Sequence, residues 1–230
     1  MFIPLNDDNP LRTISFPFVT IGLIAVNTFI FVVFQSGLVY NIGHAGIVDM
    51  AIIPCQLLGF DACPSTPLQA YGVTPEAITP ISYMFLHGGW MHLIGNMLFL
   101  WVFGDNVEDA MGHFMFLIFY LICGILAGYA HSLMAPTSQI PLIGASGAVA
   151  GVIAAYLMLH PNVLVWVLAF GVISLKLRAA YVLGAWVAIQ FISLMSAGQS
   201  STAWWAHIGG LAAGALLVLV MRRPGVKLFQ

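Results

Sequence analysis

Residues 144–151 read GASGAVAG. One serine, Ser146, stands among glycines and alanines at the mouth of an apolar run that continues through Ile153 and Leu157. Such a stretch is either a helix packed closely on a neighbour or the seat of a reactive hydroxyl. The choice depends on the solvent around it and on which other polar residues share its depth.

Composition decides the solvent. Hydrophobic residues make up 61% of the chain, charged residues 6%, and the mean hydropathy is +1.00. Soluble domains carry about 25% charged residues. So few charges cannot cover a surface facing water, and lipid is the expected solvent. The net charge of −2 and the lack of a basic patch interleaved with aromatics exclude a nucleic-acid partner. No cleavable signal peptide is expected, because residues 1–11 contain Asn6, Asp7, Asp8 and Pro10 instead of a basic stretch leading into an apolar one.

A bilayer core takes about 20 apolar residues per helix. On that rule the spans fall at 18–38, 90–103, 114–133, 144–159, 179–195 and 204–221. The expected fold is an all-α membrane protein, a bundle of six transmembrane helices. Residues 163–175 are apolar but, at about 1.5 Å per residue, too short to cross a core of about 30 Å. They read as an interfacial or re-entrant segment.

Charge supports the count. With six spans and a cytoplasmic N-terminus, Arg12, Lys176, Arg178, Arg222, Arg223 and Lys227 all lie inside, as the positive-inside rule asks. Residues 1–17 and 222–230 are then cytoplasmic tails flanking a membrane domain at 18–221, with a proline-rich external loop at about 39–82. The expected location is the inner membrane of a bacterial cell.

This topology sorts the polar residues by depth. Ser146 opens the fourth span and His207 opens the sixth, and both spans start outside. The second span also starts outside, and it carries His92 and Asn96 four residues apart on one helical face. Polar side chains inside a membrane are costly and mark function. A serine becomes a nucleophile when a histidine takes its proton, and the oxyanion that follows needs donors. Ser146 and His207 are therefore the candidate catalytic pair. His92, Asn96 and the backbone N–H of Ser146 are the candidate oxyanion donors. Asp105, Glu108 and Asp109 fall at the far end of the second span and read as turn and helix-end residues, so a Ser–His dyad is expected without a third member. Gly147 with Gly151, and Gly210 with Gly214, put small-residue faces on the fourth and sixth spans that let them approach.

Other readings are weaker. Zinc on His87, His92 and His207 lacks a carboxylate or thiolate at helical spacing. A transporter wants polar groups along a path through both leaflets, and the inner halves of these spans are nearly free of them. Trp90, Trp204 and Trp205 fit the interfacial belt. His44, His113, His131 and His160 lie at span ends or in loops, with no chemistry assigned. Cys123 reads as an inert core residue. Cys55 and Cys63 share the external loop, and whether they form a disulfide is open.

The pieces HLIGN at 92–96, GASGAVAG, and AHIGGLAAG at 206–214 resemble the rhomboid family of intramembrane serine proteases, as do FLHGGWMHL before the second span and GDNVED after it. The resemblance covers roughly residues 80–221. It implies a six-helix bundle with a water-filled cavity open to the outer face. It implies Ser146 as nucleophile, His207 as general base, and His92 and Asn96 as oxyanion stabilisers. The implied substrates are transmembrane segments of other proteins, cut near their outer ends, with no metal or cofactor. A rhomboid-like protein that binds membrane clients without cutting them is the alternative. One departure stands out: some relatives carry an aromatic residue one turn after the serine, and here that position is Ala150. The orientation of His207 is then expected to come from Trp204 or Trp205.

Overall fold

The computed structural model describes residues 2–59, 63, 73–169, 172–196 and 203–229. The chain is mostly helical. α1 spans Phe18–Ile30 and runs on as a π-helical stretch, Phe31–Gln35. The short helices α2 (Gly43–Met50), α3 (Pro54–Leu57) and α4 (Thr79–Ser82) follow. Then come α5 (Trp90–Met111), α6 (His113–Met134), α7 (Ser146–Leu159), α8 (Ala179–Ser196) and α9 (Trp204–Met221). Among the described residues, Phe18–Gln35, His113–Met134 and Trp204–Met221 are long and apolar enough to cross a membrane, and Ser146–Leu159 and Ala179–Met195 are shorter apolar helices.

α7 is the central rod. Every residue from Gly147 to Tyr156 is buried, which fits a segment apolar on all sides. At 14 residues it is about 21 Å long, against about 33 Å for the 22-residue α5 and α6. α9 lies directly against it, with Gly214 facing Gly151: a Cβ on Gly214 would sit 2.2 Å from the Gly151 carbonyl oxygen. The small-residue faces do meet. Only glycine permits such an approach of two backbones.

The acids of α5 secure the start of the bundle. α1 has no side-chain cap of its own. Glu108, fully buried, accepts the N–H groups of Val19 (3.0 Å) and Thr20 (2.8 Å) and the Thr20 hydroxyl (2.7 Å). These are first-turn donors with no partner inside their own helix, and a carboxylate there also suits the helix dipole. Asp109 accepts the backbone N–H groups of Arg12, Thr13 and Ile14 at 3.0, 2.7 and 2.7 Å. The two residues end α5, as read from the sequence, but they also fasten the N-terminal segment. Gly112 then turns the chain into α6 with φ +85°, a left-handed value that costs other residues more.

Three strands form an antiparallel sheet in the order β1 (Phe2–Asp7), β2 (Leu164–Ala169), β3 (Ile173–Arg178), with Phe2 opposite Ala169 and Leu164 opposite Arg178. The stretch read as interfacial or re-entrant thus supplies β2 and the start of β3, and the chain is not purely α-helical. The segment is half of a hairpin: Val165, Val167 and Ala169 are buried while Leu164 and Trp166 are exposed, the two-residue period of a strand. Its exposed face is also apolar, which hid the period. The expected N-terminal tail supplies the third strand. The C-terminal segment also docks, with Arg223 N–H donating to Ala110 (2.8 Å) and Phe229 N–H to Met158 (2.7 Å).

At the opposite end, Ile52 and Leu142 exchange backbone hydrogen bonds of 3.2 and 2.8 Å, and Cys55 is disulfide-bonded to Cys63. Cys123 is free and buried, in line with an inert core thiol. Lys176 pairs with Asp8 at the sheet end. The molecule thus has a sheet-bearing end, where Arg12, Lys176 and Arg223 lie among acids, and a disulfide-bearing end.

Candidate active site

Ser146 is delivered by a short, tightly held approach. After the bridge at Leu142, Gly144 takes φ +123° and donates its N–H to the Tyr83 carbonyl at 2.9 Å. Tyr83 is itself anchored through its hydroxyl to the Gly124 carbonyl at 2.6 Å. α7 begins at the next residue but one, so Ser146 occupies the first helical position, where backbone N–H groups have no intrahelical acceptor.

His207 stands in the first turn of α9, one turn before Gly210. Its Nε2 lies 2.9 Å from Ser146 Oγ, and its Nδ1 lies 2.7 Å from Gln190 Oε1 on α8. The ring also meets Trp204 edge-on at 5.8 Å and Trp186 at 6.0 Å between centroids. Trp204 fits the expected packing partner. Trp186 and Gln190 were not legible as partners of His207. Ala150 contributes no ring to the histidine.

His92 and Asn96 reach the same place from α5. The Gly88 N–H donates to His92 Nδ1 at 3.3 Å. A neutral imidazole that accepts at Nδ1 carries its proton on Nε2. That nitrogen faces the backbone before the serine: a Cβ on Gly144 would lie 2.6 Å from it and 3.8 Å from Ser146 Oγ. Asn96 is 7% exposed, and its Nδ2 has no hydrogen-bond partner among the described residues. An amide donor held without an acceptor is costly. The amide is thus free to donate to an acceptor that enters the cavity it lines.

A cavity of about 620 Å³ joins these groups, lined by His92, Asn96, Ser146, Trp186 and His207. His131 lines it too, with a buried Nδ1 lacking a partner among the described residues. Its place at the end of an apolar span gave no sign of this in the sequence. His87 stacks edge-on against His92 at 5.1 Å. Among the described residues no group of three His, Cys, Asp or Glu side chains is arranged to hold a metal ion.

The family model for the Rhomboid domain matches residues 74–224, more than half of the chain. Curated relatives include rhomboid-like protein 11, chloroplastic, of Arabidopsis thaliana, 29% identical over 65% of this chain and 55% of its own length. Rhomboid protein 1, mitochondrial, of Saccharomyces cerevisiae is 30% identical over 60% of this chain and 40% of its own. Rhomboid-related protein 2 of Mus musculus is 35% identical over 60% of this chain and 46% of its own. The match thus spans about half the length of these relatives. With GASGAVAG, HLIGN and AHIGGLAAG gathered around one cavity, the chain belongs to the rhomboid family.

Proposed function

We propose that the protein is an intramembrane serine endopeptidase that cleaves transmembrane segments of membrane-protein substrates near the outer membrane face. The observation that carries this reading is the 2.9 Å separation of Ser146 Oγ and His207 Nε2 inside a cavity that also holds donor groups. Ser146 Oγ attacks the scissile carbonyl while His207 Nε2 takes its proton. The oxyanion formed is met by Asn96 Nδ2, His92 Nε2–H and the Ser146 backbone N–H. The C–N bond breaks as His207 returns the proton to the leaving amine. A water molecule, deprotonated by His207, then attacks the acyl-enzyme and frees Ser146. A helical substrate hides its carbonyls in its own hydrogen bonds, so its segment must unwind before it fits. The likeness to rhomboid proteases implies small residues at the cleavage site.

The proposed topology has six spans over residues 18–221, with residues 1–17 and 222–230 on the cytoplasmic side of a bacterial inner membrane. Two facts support the orientation. Arg12, Lys176 and Arg223 gather at one end through the Asp109, Asp8 and Ala110 contacts. The Cys55–Cys63 bridge lies at the other, as an oxidising compartment outside would have it.

The test uses purified protein in liposomes with a labelled single-span substrate carrying small residues at its outer boundary. Wild type is expected to cut it, and Ser146→Ala and His207→Ala are not. Cleavage that survives in Ser146→Ala would remove Ser146 as the nucleophile. Failure of a fluorophosphonate to label Ser146 in wild type would favour a client-binding protein.

A further inference from the structure

His207 has a second hydrogen-bond partner besides Ser146, and hydrogen-bond polarity fixes what that partner does. Gln190 is 4% exposed within the apolar α8. Its Nε2 donates to the Trp186 carbonyl at 3.1 Å. A carbonyl can only accept, so this bond fixes which end of the amide is nitrogen. The oxygen is thereby turned toward His207 Nδ1, 2.7 Å away. An amide oxygen also can only accept, so Nδ1 must carry the imidazole proton. The lone pair of a neutral His207 then sits on Nε2, the nitrogen facing Ser146 Oγ at 2.9 Å. Each bond in the series Trp186, Gln190, His207, Ser146 leaves one choice for the next.

From this we infer that Gln190 is a positioning residue that holds His207 in the tautomer able to accept the serine proton. The inference rests on the proposed protease reading and supplies what the sequence search for an acid did not find: an uncharged third member. At the far end of α5, buried Glu108 is committed to the start of α1 and buried Asp109 to residues 12–14 before it. An amide also avoids burying an unpaired carboxylate in an apolar helix, which is costly because the charge loses its water. The geometry has a further implication. Gln190 belongs to α8, whereas Ser146 and His207 belong to α7 and α9. Any outward displacement of α8 withdraws the amide and frees the imidazole to take either tautomer.

The experiment uses full-length protein with ring-¹⁵N histidine in detergent micelles, as wild type and as Gln190→Met, an apolar side chain of similar length. His207→Ala identifies the His207 signals by their loss. Wild type is expected to show the proton on Nδ1. Gln190→Met is expected to show a mixture or Nε2–H, with kcat lower by about tenfold to a hundredfold and KM little changed. An unchanged tautomer in Gln190→Met overturns the proposal whatever happens to turnover, since a fall in kcat would then reflect packing alone. A changed tautomer with unchanged kcat overturns it too. Dispersed histidine signals in the same sample show that the variant is folded. Cleavage surviving in Ser146→Ala is a separate failure, that of the nucleophile, and the tautomer readout stands apart from it.

Discussion

Gly210 and Gly147 meet backbone to backbone: a Cβ on Gly210 would lie 1.9 Å from the Gly147 carbonyl oxygen. One is a turn past His207 and the other directly follows Ser146. The distance between nucleophile and base is therefore set by the absence of a side chain on Gly210. Gly210→Ala must push α9 away from α7, and backbone cannot yield as a flexible side chain does. Overpacking of this kind costs about 1–3 kcal/mol or more. We expect Gly210→Ala to lose most cleavage activity and to melt several degrees below wild type. Gly184→Ala, with open space around the added methyl group, is the control and should change neither. Full activity in Gly210→Ala would show that the helix contact does not set the site.

Asn96 Nδ2 has no hydrogen-bond partner among the described residues. If it meets the oxyanion, its benefit appears in the transition state and not in substrate binding. Asn96→Ala should lower kcat by about 10²–10³-fold, the usual loss for one such donor, with KM nearly constant. The same change should not lower the melting temperature, because an unpartnered buried amide contributes no stabilising bond. A raised KM at constant kcat would assign Asn96 to substrate binding instead.

Asp7, in β1, is half-buried against the Tyr156 hydroxyl, which donates to it. Burial first, with repulsion from Asp105 and Asp8, raises its carboxyl from 3.8 to about 7 despite that bond. The folded chain thus holds a proton that the unfolded chain releases between pH 3.8 and about 7. Stability contributed by this group falls as pH rises through that window and is level above it. Melting curves from pH 5 to 8 should show a steeper loss for wild type than for Asp7→Asn. Equal slopes would remove Asp7 as the source.

The three cysteines divide into one bridge and one buried thiol. A thiol titration of denatured, unreduced protein should find one reactive group, Cys123, and three after reduction. Three before reduction would mean that the Cys55–Cys63 bridge does not form in the expressed protein.

Much of the site was legible because its parts are local. Ser146, His92 with Asn96, and His207 each sit near the start of an apolar run, and the expected parity of the spans put them at one depth. What stayed hidden depended on distant partners. Gln190 lies in an apolar helix with no motif around it, and the search beside His207 was for an acid. β1 is six residues with mixed polarity, and its pairing with β2 crosses most of the chain. β2 alternates between apolar residues facing the core and apolar residues facing outward, so no polar period marked it as a strand. The mutual fit of Glu108 and α1 is a tertiary contact that no helix-end rule reveals.

The pairing of residues 2–7 with 164–169 has a consequence for biogenesis. The first strand leaves the ribosome with no partner, and its partner follows only after α7 has been made. Contacts so far apart in sequence close late, because the loop entropy must be met before they yield anything. The beginning of the chain is therefore among the last parts to settle. A fusion or tag placed before Phe2 would act on the final step of assembly, not on the first.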